Sequence, residues 1–485
     1  MKGDALITKQ ETKKEKSFSN IGLRSFITVM IILTAVLIFS GVLSYIIPRG
    51  SFDYTEDGAI ILDSYREMGV DGLAVWRIIT APARVFASSD GLTIIMISVF
   101  LLVMSGVFNL LEKTDGTKIF ISRLVKRLSG KRGIIVCLCV LIFMLFGSFF
   151  GMFEELATLI PLIVVFTLSM GLDTMTGLGA CLLASCFGFA SAITNPFSVG
   201  LASQLAGVNA MNGVWLRALF FVITFGVLCS FLLMHIRRIQ KKPELSLSYE
   251  SDKETRARLG NGEIEETPRT KRIFKVFSVF FCVQVVLLVL IASVRAISGY
   301  AIPLLAVSFL AGGITCGLLV TERKKDTFKY LLQGASAMLP AVVMIAFASS
   351  VKLVMTESGI IDTVMYQAIK LLDGKSKLLT ILLIYLLILF LQLFIGSASA
   401  KIMLVMPIIL PICTALGLSP AIVILAYCMA DGFTDVIIPT NPVLLIGLSM
   451  VNVPYGKWVR WTWKLQLFIF ALTIGILFFA ISIGY

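Results

Sequence analysis

From residue 24 to its end the chain is a succession of apolar runs, of which "FITVMIILTAVLIFSGVL" at 26–43 is the first. Many approach the ~20 residues that a helix rising 1.5 Å per residue needs to cross a ~30 Å hydrocarbon core. A bilayer leaves helices or closed barrels as the ways to satisfy every backbone group, and runs of this length suit helices. Composition agrees, since 58% of the 485 residues are apolar and 15% are charged, against about 25% charged in soluble domains. The expected fold class is an all-α integral membrane protein, with the lipid bilayer as its solvent.

The formal charge of +13 does not point to nucleic acid, because the basic residues collect in alternate loops. That is the bias which keeps cationic loops in the cytoplasm. Residues 1–23 form a polar tail, with six Lys or Arg through Arg24 against three acids, and are placed inside as a retained segment. Helix 24–47 then leads to a loop ending at Asp90 that holds four Arg and seven acids, as expected outside. Helix 92–111 returns to "EKTDGTKIFISRLVKRLSGKRG", with seven basic residues against two acids. There Ile119, Phe120, Leu124 and Leu128 recur at helical spacing, which predicts an amphipathic surface helix.

Residues 134–146 and 157–170 are apolar but short, and "GSFFGMFEE" separates them. Segments of this length are better re-entrant halves than full spans, so a hairpin is expected over about 134–170. A helix over 175–207, broken at Thr194–Pro196, and a helix over 213–236 complete a first membrane repeat, 24–239. Polar residues 240–273 read as a cytoplasmic linker and 274–296 as an additional transmembrane helix.

The second repeat, 297–485, contains helices 300–320 and 330–355 and the amphipathic "IIDTVMYQAIKLLDG". A hairpin over about 378–416, a broken helix over 419–451 and a last helix over 458–484 follow, leaving the C-terminus outside. The total is nine spans, two re-entrant hairpins and two broken helices, in a multi-pass protein of the cell membrane.

Both breaks carry Thr-Asn-Pro, at 194–196 and 440–442, which is a separation of 246 positions. Pro161 and Pro407 share that separation, and Ser105 and Ser349 are two positions closer. By charge the first hairpin enters from inside and the second from outside. This predicts an inverted-topology repeat, the architecture of secondary transporters that bind at the midplane on discontinuous helices. Proline opens the helix by removing a donor and crowding the preceding turn. Opened backbone is tolerated in a bilayer where it is buried or lines a cavity. Freed carbonyls with Thr and Asn side chains can coordinate a cation, with sodium possible near Asn195 and Asn441. The start of the continuing half-helix suits a carboxylate.

The 246 offset also sets Glu155 opposite Lys401, Phe153 opposite Ser399 and Ser185 opposite Asp431. A charge at the bilayer centre costs on the order of 3 kcal/mol on insertion scales. Glu154, Glu155, Lys401, Asp431 and Asp435 are therefore candidate site residues. Asp173 reads instead as a loop or helix-cap acid at the cytoplasmic face and His235 as an interfacial residue. The nine cysteines include no C-x-x-C pair, so neither a disulfide framework nor a zinc site is indicated. One histidine and no H-E-x-x-H or G-x-S-x-G motif argue against an enzyme. No cofactor is expected beyond a coupling ion, sodium or a proton.

"YIIPRGSF", "SGVFNLLEKTDG", "GMFEE", "TNPFSVG" and "GSASAK…MPIILPI", in this order and spacing, resemble the YfcC-like branch of the DcuC-type C4-dicarboxylate carrier family. The resemblance implies a homodimer in which a scaffold domain holds a sliding transport domain, and a small solute bearing a carboxylate. It carries sodium and carboxylate binding over to Ser148, Thr194, Asn195, Ser397, Ser399, Thr440 and Asn441.

The excess of acids favours an amino acid with a basic side chain, and the resemblance implies that it is moved by arginine/ornithine-type exchange. The alternative is a sodium- or proton-coupled C4-dicarboxylate carrier. A different class is a solute channel, since paired Asn-Pro boxes also resemble those of water and glycerol channels. There, however, Phe197 and Val443 stand where a small Ala belongs.

Overall fold

The computed structural model describes residues 23–53, 64–116, 119, 131–157, 159–259, 267–293, 301–372 and 374–485. Among them the regular structure is helical apart from a two-stranded antiparallel ribbon, Gly50–Ser51 against Arg66–Glu67. Nine helical runs among the described residues are long and apolar enough to cross a membrane. They are not all the spans read from hydropathy. Arg132–Phe150 and Ala398–Ala415 belong to the set, although the sequence presents both as hairpin arms. The first arm gains length because a π-turn, Phe146–Phe150, extends helix Arg132–Leu145.

Each expected hairpin turns back on itself. The first runs down Arg132–Phe150, reverses at Gly151 (φ 67°) and returns through Glu154–Ala157 and Ile160–Ser169. Its two ends meet, since a Cβ on Gly171 would lie 3.2 Å from the Arg132 guanidinium. The second runs from Lys377–Gln392 to Ala398–Ala415. Its ends are tied by the Lys377 ammonium, which donates to the Gly417 carbonyl at 2.9 Å.

The two halves repeat down to individual hydrogen bonds. Leu172 N–H donates to the Thr167 carbonyl and Leu418 N–H to that of Cys413, both at 2.9 Å, with Gly171 and Gly417 left-handed at φ 77° and 68°. Asp173 caps Thr174–Leu178 through the Thr176 N–H, and Ser419 caps Pro420–Thr434 through that of Ile422. Asn195 accepts from Phe197 N–H and Asn441 from Val443 N–H, both at 2.9 Å.

Equivalent ends nevertheless lie far apart. Asp173 contacts His235, whose ring accepts from Trp461. Ser419 donates to the Tyr485 carbonyl, and the Tyr485 hydroxyl to that of Gly213. Gly213 precedes and His235 lies within helix Val214–Lys241, which separates them by about 33 Å at 1.5 Å per residue. Trp461 and Tyr485 are separated similarly along Tyr455–Ser482. The two repeats therefore run in opposite senses along the same pair of helices.

Both broken helices are present. The first comprises Thr174–Leu178, a π-turn at Gly179–Leu183 and Ala184–Ser191. It opens at Ala192 (φ 41°) and resumes as Pro196–Gly200 and Leu201–Leu205. The second is Pro420–Thr434, then Pro442–Met450.

Three other readings change. Helix 330–355 becomes Lys324–Ala337 and Leu339–Glu357, divided just before Pro340, whose missing N–H suits a helix start. Lys324–Ala337 packs tightly on Gly91–Lys113, with Ser105 donating to the Gly334 carbonyl at 2.7 Å. The polar stretch 240–273 is more than a linker. Its described part forms Pro243–Leu245 and helix Tyr249–Leu259, with Ser246 and Asp252 buried against the start of the first broken helix, to which they hydrogen-bond, and Ser248 buried between them. Helix Pro268–Ser293 also begins ahead of 274.

The second amphipathic stretch is helix Ile360–Leu372. Phe52 N–H donates to Asp362 at 3.1 Å, and Tyr65 stacks on Tyr366 at 3.8 Å, so the ribbon segment covers it. Of the first amphipathic stretch, 112–133, residues 117–118 and 120–130 lie outside the described residues.

Candidate solute-binding site

The first hairpin tip is joined directly to the first break. Ser148 is buried, and its hydroxyl accepts from Ile193 N–H at 3.0 Å while its carbonyl accepts from Thr194 N–H at 3.2 Å. The Thr194 hydroxyl donates to the Phe149 carbonyl at 3.0 Å. Gly151 makes this closure possible: a Cβ there would stand 2.2 Å from Asn195 Oδ1. Because Oδ1 of Asn195 caps the resumed helix, its Nδ2 is the atom left over. It is buried without a hydrogen-bond partner.

The second tip is looser. Ser397 is exposed and caps Ala398–Ala415 through the Ala400 N–H, while Ser399 is half-buried with its hydroxyl 3.4 Å from that of Ser397. Thr440 is buried, with its hydroxyl unpartnered. Asn441 is fully engaged. Its Oδ1 caps Pro442–Met450, and its Nδ2 donates to Asp435 Oδ1 at 2.6 Å. The Gln392 amide donates to the same oxygen. Asp435, 5% exposed, is thus held by two neutral amides.

The halves interlock. Pro196–Leu205 packs on Ala398–Ala415, and Pro442–Met450 packs on Glu154–Ala157. Within the second repeat, Ala398–Ala415 also packs on Pro420–Thr434, which brings Lys401, in the first turn beyond the second tip, to Asp431 on the helix before the second break. Nζ and Oδ1 form an ion pair in which both side chains are at most 1% exposed. Taking one partner away from such a pair costs on the order of 3–5 kcal/mol, because the other charge stays buried.

The repeat offset therefore predicts equivalence, not contact. Lys401 is equivalent to Glu155, but its ionic partner is Asp431. Ser185, equivalent to Asp431, only donates back to the Cys181 carbonyl at 2.7 Å. Glu154 is half-buried and close enough to Asp435 to act on it electrostatically. The Glu155 side chain lies outside what the structure describes.

Two groups escape sequence reasoning. Gln392 is the one amide in the apolar arm "LLTILLIYLLILFLQLFIG", a signal of the kind that intramembrane acids gave. Tyr427 donates to the Ala398 carbonyl at 2.7 Å, and nothing in its local sequence marks it. Among the described residues no His, Cys, Asp or Glu group of three or more could hold a metal. A sodium ion at the breaks would thus rely on carbonyls and hydroxyls, since both Asn oxygens already face backbone N–H groups.

A second polar cluster closes the base of the first hairpin. Asp173 accepts from Ser246 at 2.6 Å and sits 2.8 Å from His235 Nε2. Trp461 donates to His235 Nδ1 at 3.2 Å, so the ring can donate from Nε2 to Asp173. Burial alone would raise the Asp173 carboxyl. The His235 hydrogen bond and charge, with the Ser246 and Thr176 hydroxyls, outweigh it and hold the group below the usual range. Asp252 is pushed up by burial despite bonds from Thr174 and Ser248.

A family model described as C4-dicarboxylate anaerobic carrier matches residues 26–482. A protein of Escherichia coli strain K12 named putative basic amino acid antiporter YfcC is 24% identical over 495 residues, 94% of each chain. An uncharacterized protein of Haemophilus influenzae is 28% identical over 369 residues, 75% of this chain and 71% of its own. The solved YdaH transporter of Alcanivorax borkumensis gives a TM-score of 0.41 at 16% identity, over 95% of this chain and 98% of that one. MtrF of Neisseria gonorrhoeae gives 0.41 at 15%, over 95% and 96%.

Proposed function

The chain belongs to the C4-dicarboxylate anaerobic carrier family, on its YfcC-like branch, and is a membrane transporter rather than an enzyme; from this we propose that it exchanges small amino acids with a basic side chain. The observation that carries the reading is the buried Lys401–Asp431 pair beside the second break. A carrier that needs a coupling cation must bind and release it in every cycle. Here a covalently held ammonium already neutralises the acid beside the break, in the place a coupling sodium would take. Such a carrier suits exchange, in which one solute replaces another.

In this reading Asn195 Nδ2 and the Thr440 hydroxyl, both buried without hydrogen-bond partners, receive the solute carboxylate with help from the half-helix starts. Ser397, Ser399, Thr194 and Ser148 shape the tips around it. Glu154 receives the basic end. The hairpins and broken helices form the transport domain and slide as an elevator against a scaffold that dimerises. Repeats 24–239 and 297–485 carry this machinery, with the N-terminus cytoplasmic and the C-terminus outside. The name given to the Escherichia coli relative supports the solute class.

The family description favours a second reading, coupled uptake of a C4-dicarboxylate. Counterflow in proteoliposomes separates them. Exchange of labelled arginine for ornithine, indifferent to succinate and to a sodium gradient, is expected; succinate uptake without arginine exchange would overturn the proposal. Conductance without saturation or counterflow would indicate a channel instead.

A further inference from the structure

Away from the solute site, a cavity of about 600 Å³ opens between the start of Arg132–Leu145 and the end of Val214–Lys241. Its lining is sorted by chemistry. Lys131, Arg132 and Arg237 contribute three cations, all exposed, and among the described residues no acid lines it. Ile134, Leu233 and Ile236 supply an apolar wall. The helices close on each other at Gly133, where a Cβ would stand 2.8 Å from Leu233. Below the cations the same two helices present Ile134, Leu138 and Met234 at 64%, 54% and 62% exposure, a greasy track along spanning helices.

We propose that this cavity binds the headgroup of an anionic phospholipid, with its phosphate among the three cations and its acyl chains along Ile134, Leu138 and Met234. The charges alone would follow from the bias toward basic cytoplasmic loops. The concave shape, the lack of an acid in the lining and the apolar wall running into the lipid-facing surface do not. Basic pockets between spanning helices are a recognised form of lipid site. A soluble anion would satisfy the cations but leave the apolar track unused, so a lipid is the occupant the surface fits. Arg132 also sits beside Gly171, so a bound lipid would brace both ends of the first hairpin against Val214–Lys241.

The test is lipid retention by the purified full-length chain, counted by native mass spectrometry from micelles containing equal phosphatidylglycerol and phosphatidylcholine. Phosphatidylglycerol is expected to be retained at least tenfold in preference. The triple variant Lys131→Gln, Arg132→Gln, Arg237→Gln should lose that preference, because each cation near an anionic headgroup is worth roughly fivefold in affinity. A control, Lys324→Gln, Lys325→Gln, Lys329→Gln, removes exposed cations elsewhere and should keep it. Equal retention of both lipids, an unchanged triple variant or an equally impaired control overturns the proposal. Displacement of the lipid by millimolar inorganic phosphate also overturns it, by showing a site for free anions. If the triple variant fails to elute as a folded species, the single Arg237→Gln is read in the same assay, with about fivefold weaker retention expected.

Discussion

Phe187 and Phe433 occupy equivalent positions in the two repeats, 246 residues apart, and their rings meet edge to face at 4.9 Å and 84°. Their neighbours Cys186 and Gly432 form a second such pair, joined by a 2.6 Å contact from Sγ to the carbonyl. Equivalent residues touch each other where a pseudo-two-fold axis passes, so this contact locates the centre of the fold. Both rings are buried.

Truncating either ring should therefore injure both repeats. Phe187→Ala and Phe433→Ala are each expected to cost about 3–5 kcal/mol. The double variant should cost less than their sum by roughly 0.5–1.5 kcal/mol, the edge-to-face term they share. Thermal midpoints of the four proteins in one detergent give the cycle. Strict additivity would show that the rings do not interact.

The Lys401–Asp431 pair separates structure from function. Lys401→Met should destabilise by about 3–5 kcal/mol, since it strands a buried carboxylate. Lys401→Met combined with Asp431→Leu should recover most of that loss, because an apolar pair can replace a buried ion pair at little net cost. Transport should not recover with it. A stable double variant that still exchanges arginine would reduce the pair to a packing element.

Gly151 is required twice, by its left-handed backbone and by the 2.2 Å approach of Asn195. Gly151→Ala is expected to lower stability by well over ~1 kcal/mol and to impair exchange by displacing Asn195. Gly69 has φ 81° with nothing within 4 Å of its missing Cβ. Gly69→Ala should cost only about 1 kcal/mol and leave exchange intact. Equal effects of the two substitutions on exchange would remove the case for the tip–break closure.

Acidification should loosen the base of the first hairpin. The Asp173 carboxyl titrates lower in the folded chain than its ordinary 3.8. Its contribution is thus complete above the unfolded value and is lost as pH falls through the folded one. Asp252 has the opposite sign, since its carboxyl is raised above 3.8 when folded. It opposes folding increasingly as pH rises from 3.8 through the folded value. Thermal midpoints measured from pH 7 down to pH 3 should fall less steeply for Asp173→Asn than for the parent. An identical acid limb in both proteins would assign the loss to other groups.

The chain's own order determined much of this. Apolar run length set the helical membrane class, because a bilayer forbids the alternatives. Two Thr-Asn-Pro triplets at a fixed offset marked the breaks, because proline acts locally wherever the helix goes. For the same reason Asp173 was legible as a loop or cap acid, and the fold makes it a cap. What sequence could not supply was contact between segments. The offset aligned Lys401 with Glu155, yet the packing of the second hairpin on the second broken helix delivered Lys401 to Asp431. Gln392 gained its role from an acid 43 positions away, and Ser246 and Asp252 turned inward because the helix starting at Thr174 needed partners. A repeat specifies which residues are equivalent, whereas tertiary packing, within one repeat for Lys401 and Asp431 and between the two for Phe187 and Phe433, decides which of them meet.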